Sequence, residues 1–259
     1  MDARYELQGT LKDIASYPRW AREMLAACQE AKQAVLDHPV WRMMHDATID
    51  ATTMRHFMIG VWPFIERFPG YMAHSLLKTR YGRSAGDDAA RRWLVRNIRV
   101  EQNHAEYWLN WAEGAGIARE EVFHGAAPAG CRVLADWCEE VSRDGSLAAG
   151  LAATNYAIEG VTGEWAQYVY DSAAYQASFP LQSRTASLRW LQLHAAYDDA
   201  HPWEALDIVC TLLGAAPEPA EVEHLLECIR RSYVCMRQVG DSCLPQVGHG
   251  GSAGVAVVA

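Results

Sequence analysis

Three side chains of metal-ligand type recur within one short stretch of the C-terminal third of the chain. His194, Asp198 and His201 stand at positions i, i+4 and i+7. On an α-helix of ~3.6 residues per turn, they fall within an arc of about 60°. Two imidazoles and one carboxylate would then point at one position, a ligand set that suits iron, manganese or zinc. The stretch predicts part of a metal site, provided that other segments supply further ligands.

Two other segments carry matching ligands. Glu101 and His104 form a Glu-x-x-His pair, the i, i+3 spacing found in helix bundles that hold carboxylate-bridged di-iron centres. Glu159 lies in an otherwise apolar run of small residues, 147–161. A carboxylate buried there would be costly unless it is paired or binds a metal. Together the six residues, three carboxylates and three imidazoles, favour a metal centre over coincidence.

A seventh candidate, Glu66, lies in an apolar stretch bounded by Pro63 and Pro69. One interpretation makes it a further metal ligand, or an acceptor that orients a ligand imidazole. The other interpretation is an ion pair with Arg67 or another arginine. The sequence leaves both open.

Composition excludes several classes of protein. The chain has 259 residues, half of them hydrophobic, which suits one large domain with a sizeable core. A net charge of −9 argues against nucleic acid and against an anionic membrane as partner. We find neither a membrane-spanning apolar run nor a secretory signal. The seven cysteines are odd in number and form no Cys-x-x-Cys, so we expect reduced thiols and a cytoplasmic location.

The elements that must position these ligands are all predicted to be helical, because their apolar residues recur at helical spacing. Pro63 and Pro69 should kink or divide the third helix, whereas the helix that carries Glu101 and His104 contains neither Pro nor Gly. We therefore expect a single all-α domain over 11–243, after an N-terminal segment 1–10 and before a disordered tail, 244–259. The predicted helices are 11–37, 40–45, 53–80, 87–113, 128–142, 146–175, 181–213 and 218–239.

A proline directly after His201 weakens one turn of the candidate site. Pro202 disfavours helical geometry at His201 and cannot donate to the carbonyl of Asp198. We predict a bent or displaced turn at 198–202. We also predict unequal metal affinities, with one metal held by Glu101, His104 and His194 and a labile one that depends on Asp198 and His201.

Longer stretches around these ligands resemble a known family. The segments 90–105, 152–160 and 197–206 are similar to the haem-oxygenase-like di-iron oxidases, and more closely to the UndA-type fatty-acid decarboxylases. The resemblance runs from about 11 to 243, and all six ligand positions are filled. It implies a haem-oxygenase-like (TenA-like) helical bundle.

The resemblance also implies an activity. Such an enzyme uses two Fe(II) ions and O2 to convert medium-chain fatty acids to terminal alkenes, for example dodecanoic acid to 1-undecene, with hydrogen removed from C3. Forming the alkene and CO2 releases two electrons, while reducing O2 to water takes four. An external electron donor is therefore required as a partner beside the fatty acid.

A fatty-acid substrate would need a narrow apolar pocket that is closed at its far end. We expect Trp62, Phe64, Tyr156 and Trp190 to be candidates for its walls. Each buried CH2 of the tail gains about 0.8 kcal/mol, so the depth of the pocket would set the preferred chain length.

Three other functions stay open. The chain could be an oxidase of the same fold that acts on another small carboxylate. It could be a metal-free TenA-like hydrolase with a cysteine nucleophile, for which Cys131 and Cys138 are candidates. It could also bind iron or haem without catalysis. The six-ligand set argues against the hydrolase, whose chemistry needs no such cluster.

Overall fold

Helices build nearly all of the protein, for which a computed structural model describes residues 13–197 and 200–245. No strand occurs within these ranges, so the all-α prediction is confirmed. A short 3-10 turn, Ile14–Ser16, precedes the first helix. The helices are α1 (Arg19–Leu36), α2 (Pro39–His45), α3 (Ala51–Lys78), α4 (Ala85–Glu101), α5 (His104–Gly114), α6 (Arg119–His124), α7 (Arg132–Asp144), α8 (Leu147–Leu151), α9 (Glu159–Tyr170), α10 (Ala173–Ala177), α11 (Arg184–Ser187), α12 (Arg189–Tyr197), α13 (His201–Leu213) and α14 (Pro219–Cys243), with a π-helical segment, Ala152–Ile158, between α8 and α9.

The long third helix is not divided at its prolines. α3 begins at the side-chain cap of Asp50 and runs through both Pro63 and Pro69. Each proline removes one backbone hydrogen bond. The apolar side of α3 packs on α4, α7 and α14, and this burial keeps the helix together.

The expectation of one uninterrupted helix over 87–113 is wrong. α4 ends at Glu101, and α5 begins at His104 after a turn of two residues. Asn103 has φ −105° and ψ −4°, in the sparsely allowed region between helix and strand. Asparagine is a poor helix former, but neither Pro nor Gly marks this position. The interruption falls between the two ligands of the Glu-x-x-His pair.

The predicted helix 146–175 is not an α-helix throughout. Residues 152–158 form a π-helix, with a wider turn than the α-helices on either side. π-helical turns are rare and occur frequently at functional sites. This segment packs on α13 and α14. Glu159 is the first residue after it.

The prediction of a single helix over 181–213 is wrong as well. Ala200 has φ −126° and ψ −43°, outside helical values, and α13 begins at His201 with Pro202 in its first turn. Proline suits this place because the first helical N–H groups have no intrahelical partner. Residues 198 and 199, and with them the predicted ligand Asp198, lie outside the described residues.

Indole-rich packing fills the space between the helices. α1 packs on α14, α9 on α12 and α3 on α7, and Trp108 and Trp111 are fully buried among them. No helix of the described ranges is both long enough and apolar enough to span a membrane. Segment 1–10 and nearly all of the predicted tail, from 246 onward, lie outside the described residues.

Candidate metal centre

Five of the six predicted ligands line one cavity at the centre of the helical bundle. Glu101, His104, Glu159 and His201 are each less than a tenth exposed, and His194 is half-buried. Apolar side chains of α3 and α4 surround the polar cluster. The cavity is lined by Phe64, Ile65, Phe68, Val100, Glu101, His104, Ile158, Glu159, Thr162, Trp190, His194 and His201.

The ligands stand at the ends of helices. Glu101 is the last residue of α4, while His104, Glu159 and His201 are the first residues of α5, α9 and α13. Three of the interruptions of predicted helices therefore fall beside a candidate ligand. His194 is the exception, because it enters the cavity from within α12.

Glu101 and His104 approach each other closely. The Glu101 Oε2 and His104 Nδ1 atoms are 2.5 Å apart, although their directions do not meet the geometry of a hydrogen bond. The ring of His104 lies 4.9 Å, centroid to centroid, from that of His194. Three donor groups from α4, α5 and α12 thus converge on one side of the cavity.

Glu159 and His201 form a second pair in the cavity. Their Oε2 and Nδ1 atoms are 2.6 Å apart. The Asn155 side-chain amide donates to the other oxygen of Glu159 over 2.6 Å, which fixes the plane of the carboxylate. Trp93 packs its ring 4.9 Å from that of His201, and its indole N–H donates to Glu204 over 2.8 Å.

His194 has a defined tautomer. Its Nδ1 lies 2.8 Å from the backbone carbonyl oxygen of Trp190. A carbonyl can only accept, so Nδ1 carries the proton and donates it. Nε2 is then left with a lone pair, which is the form in which histidine binds a metal.

The protonation of the cluster follows from burial and mutual attraction. Burial works against ionisation of Glu101, but the imidazoles of His104, His201 and His194 together hold its pKa below the ordinary value. Burial raises the pKa of Glu159, against the attraction of His201. Burial, with repulsion from His104, lowers the pKa of His194 to about 3, so this imidazole is neutral at physiological pH.

These residues fit a metal by the chemistry of their donors. A buried cluster of carboxylates and imidazoles in an apolar cavity is the ligand set of di-iron carboxylate proteins, and burying two carboxylates without such partners is costly. Among the described residues no group of three or more donors has ready-made coordination geometry. The donors are instead in direct contact in pairs, so metal binding would require each pair to separate.

Of the other predicted site residues, some line the cavity and some lie outside it. Glu66 is exposed, 3.7 Å from the Arg67 guanidinium, and does not line the cavity, as the ion-pair interpretation expected. Phe64 and Trp190 do line it. Trp62 instead packs on Phe123 at the surface. Tyr156, whose ring makes an edge contact with that of Trp203, does not line it either, so the structure brings two of the four predicted wall residues to this cavity.

Asn155, Trp93 and Thr162 received no role from the sequence. Asn155 lies four residues before Glu159, a spacing at which helical side chains meet. That spacing could have identified the contact, since a buried carboxylate needs a donor. Thr162 lies three residues after Glu159 on α9, so a similar spacing could have placed it beside the site. Trp93 carries no comparable signal, because its contact with His201 joins separate helices.

Comparison with known proteins agrees with the fold. Residues 55–235 match the family described as iron-containing redox enzymes with a haem-oxygenase-like fold. This match covers more than half of the chain. The protein therefore belongs to the haem-oxygenase-like family of iron-containing redox enzymes.

Solved structures give the same fold. A TenA homologue from Pseudomonas syringae is 44% identical, with a TM-score of 0.88 over 92% of this chain and 98% of its own. A domain of unknown function with a haem-oxygenase-like fold from Shewanella denitrificans is 14% identical, with a TM-score of 0.67 over 90% and 93%. A putative TenA-like thiaminase from Sulfolobus solfataricus is 12% identical, with a TM-score of 0.62 over 85% and 93%. No curated protein matches the chain.

Proposed function

We propose that the protein is an O2-dependent non-haem di-iron oxidase that decarboxylates medium-chain fatty acids to terminal alkenes. The observation that carries this proposal is the convergence of Glu101, His104, Glu159, His194 and His201 in an apolar cavity. Membership of an iron-containing redox enzyme family supports iron as the metal. The resemblance to UndA-type decarboxylases supports the substrate and product.

The residues of the cavity have separate tasks. Glu101, His104 and His194 would hold one iron, while Glu159 and His201, with Asp198, would hold the second. When bound, iron supplies the activation of O2 that removes hydrogen from C3 of the substrate. Asn155 holds the Glu159 carboxylate in place, and the Trp190 carbonyl holds His194 in the metal-binding tautomer.

The overall reaction balances only with an external donor. One fatty acid, one O2, two electrons and two protons give one terminal alkene, one CO2 and two waters. The acid itself supplies two of the four electrons that O2 takes. A one-electron carrier that acts twice would supply the others.

The apolar lining favours a hydrocarbon tail. Phe64, Ile65 and Phe68 of α3 face the ligands, and no Lys or Arg of the described chain lines the cavity. A second, largely apolar cavity shares Phe64, Ile65, Thr162 and Trp190 with the first. Each cavity is small, ≈ 40 Å³, while one water needs about 10–15 Å³. An alkyl tail would therefore fit only if the shared side chains moved and the two cavities became one.

The positions of the cysteines, outside the cavity of the site, disfavour the hydrolase alternative. All seven lie within the described residues, and none lines the cavity of the site. Cys138 is fully buried, and burial raises the pKa of its thiol well above the ordinary value, which opposes the thiolate that a nucleophile needs. Cys131 lies against Cys243, with 3.9 Å between their sulfur atoms.

The deciding experiment is product analysis in the gas phase. The protein is loaded anaerobically with Fe(II), mixed with O2, a reductant and saturated fatty acids of several chain lengths, and the headspace is analysed by gas chromatography. We expect alkenes one carbon shorter than the acid. A different oxidised carboxylate would identify another oxidase of the same fold. Absence of O2 consumption with every acid would contradict the oxidase itself.

A further inference from the structure

One face of α4 carries three arginines that pair with no other group. Arg91, Arg92 and Arg99 are exposed, and none of them forms an ion pair or a side-chain hydrogen bond within residues 13–197 and 200–245. On an α-helix these three positions fall within an arc of about 100°. Val95, which is 55% exposed, lies on the same arc. The face therefore presents unpaired positive charge around a small apolar area.

Unpaired arginines are unexpected on an acidic chain. Aspartate and glutamate outnumber lysine and arginine by 32 to 23, and exposed arginines elsewhere find a carboxylate, as Arg143 does in Asp144. Asp88 lies one turn before Arg92, but its carboxylate accepts from the backbone N–H of Gly82 in the preceding loop, over 2.8 Å. Carboxylates thus leave the arginines of this face available to a partner.

The same helix carries part of the candidate metal centre on its other side. Val100 and Glu101 are buried and line the cavity, and the ring of Trp93 lies 4.9 Å from that of His201. Arg99 precedes Glu101 by two residues. An α-helix with its side chains is about 10–12 Å across. One helix therefore separates the basic face from the ligands.

We propose that this face, formed by Arg91, Arg92, Val95 and Arg99, is the docking surface for the electron donor, a small acidic protein that carries an iron–sulfur cluster. The inference rests on the proposed function, which requires two electrons from an external one-electron carrier. Complementary charge steers such a partner to the face. The rest of the chain, with a net charge of −9, repels an acidic partner, so attraction at one face also fixes its orientation.

The size of the basic face favours a small protein over a polyanion. Weak redox complexes use small interfaces, for which three charges around one apolar side chain suffice. Anionic membranes are typically bound by clusters of about 4–8 basic residues, and nucleic acid by many phosphate contacts.

Each encounter transfers one electron. The reduced cluster loses an electron, and one ferric ion of the centre becomes ferrous. A plant-type [2Fe–2S] cluster has a low reduction potential, so it is able to reduce a ferric ion held by carboxylates and imidazoles. No side chain changes its oxidation state, and two encounters supply the electrons of one turnover.

The first test is binding to the metal-free protein, so it does not depend on the proposed function. The probe is a plant-type [2Fe–2S] ferredoxin, and calorimetry at low ionic strength measures its affinity. A variant that combines Arg91→Gln, Arg92→Gln and Arg99→Gln should bind about tenfold more weakly, as expected for the loss of three exposed charge pairs. Added salt should weaken the parent protein more than this variant.

The matched control removes three exposed arginines of α1, α2 and α7, and so changes the net charge equally: Arg22→Gln, Arg42→Gln and Arg132→Gln. It should bind the ferredoxin like the parent protein. Equal weakening in both variants, equal affinity in the parent and the α4 variant, or no binding to the parent would overturn the proposal. Binding of duplex DNA or of phosphatidylserine vesicles through the α4 arginines, without binding of the ferredoxin, would overturn it as well.

The second test follows electron delivery to iron. Reduced ferredoxin is mixed anaerobically with the ferric protein in a stopped-flow instrument, and absorbance records the oxidation of its cluster. The second-order rate should fall about tenfold in the α4 variant, because charge steering acts on association, and should stay unchanged in the control. Photoreduced lumiflavin, a small reductant without phosphate, should reduce the iron of both variants at the parent rate. An unchanged rate with ferredoxin in the α4 variant would refute the docking surface, even if alkene is formed with a chemical reductant. Ferredoxin binding that depends on the α4 arginines would support the surface, even if no fatty acid gives an alkene.

Discussion

At the scale of single residues, the candidate ligands differ in what holds each side chain in its orientation. His194 has its tautomer set by a backbone carbonyl, and Glu159 has its carboxylate plane set by Asn155. Glu101 and His104 are oriented mainly by each other. Removing a ligand should therefore abolish the chemistry, while removing a support should weaken metal binding by degrees.

Replacement of single ligands should abolish alkene formation without loss of the fold. We expect this of Glu101→Ala, His104→Ala and His194→Ala, because packing of apolar helix faces provides most of the helical stability. Headspace alkene and far-ultraviolet circular dichroism measure the two effects. Glu66→Ala, which removes an exposed carboxylate outside the cavity, should leave both unchanged. Turnover near that of the parent protein in His194→Ala would contradict the proposed site.

Asn155 provides a graded test. Asn155→Leu keeps a similar volume but removes the donor to Glu159, and loss of such an outer partner typically lowers metal affinity about 10–100-fold. Competition with a chromophoric chelator measures the affinity for Fe(II). Asn110→Leu, a change on α5 at a side chain that pairs with Arg119 and does not line the cavity, is the control. Equal affinities in the two variants would remove Asn155 from the site.

At the scale of elements, three interruptions of predicted helices deliver the ligands. They are the turn before His104, the π-helix before Glu159 and the non-helical Ala200 before His201. Close approach of α9 and α13 then brings Glu159 to His201.

Gly160 controls this approach. A Cβ at this position would lie 3.3 Å from the Cβ of Pro202, so Gly160→Ala should push apart the helices that carry Glu159 and His201. The helix gains about 0.5–1 kcal/mol from the loss of glycine, which offsets the crowding, so we expect weaker Fe(II) binding with little change in stability. Gly70→Ala gains the same propensity on α3 with nothing within 4 Å, and is the control for both measurements. Unchanged Fe(II) affinity in Gly160→Ala would contradict this role.

The start of α13 at His201 bears on the second metal. Pro202 and the non-helical Ala200 place His201 after a break, whereas His194 lies within α12. We predict that anaerobic calorimetric titration with Fe(II) resolves two steps of unequal affinity, and that a fatty acid strengthens the weaker one. Two equal steps, with or without the acid, would contradict this prediction.

At the scale of the whole molecule, the indole-rich core holds the helices independently of the ligands. A titratable group buried in this core makes the stability of the fold depend on pH. His38 caps α2, is almost fully buried and lies 3.1 Å from Asp241 of α14. Burial lowers its pKa, although the attraction of Asp241 opposes this shift.

The sign of the resulting pH dependence follows from linkage. Because the folded-state pKa of His38 lies below that of the unfolded chain, about 6.5, the unfolded state takes up more protons as the pH falls through this value. The free energy of unfolding should therefore decrease from pH 7 to pH 5, as measured by urea titration with circular dichroism. His38→Asn keeps a capping side chain but cannot titrate, so its decrease should be smaller. An identical decrease would exclude His38 as a source.

The sequence by itself determined the helical class and predicted five of the residues that line the cavity. The helical class follows from apolar residues at helical spacing. The candidate ligands were predicted from i, i+3 and i+7 spacings on one helix, although the structure interrupts a helix between Glu101 and His104 and between His194 and His201. Glu159 could be recognised because a carboxylate in an apolar segment needs a partner.

Only the tertiary structure decided where the helices stop and which aromatic rings meet. The break between Glu101 and His104 carries neither Pro nor Gly, so no local signal marks it. It forms where two buried side chains must face one cavity. Phe64 and Trp190 line that cavity, while Trp62 and Tyr156 do not, although all four are aromatic residues of apolar segments. The difference lies in how α3, the π-helical segment and α12 pack against their neighbours, and contacts between residues far apart in the chain leave no pattern in a single sequence.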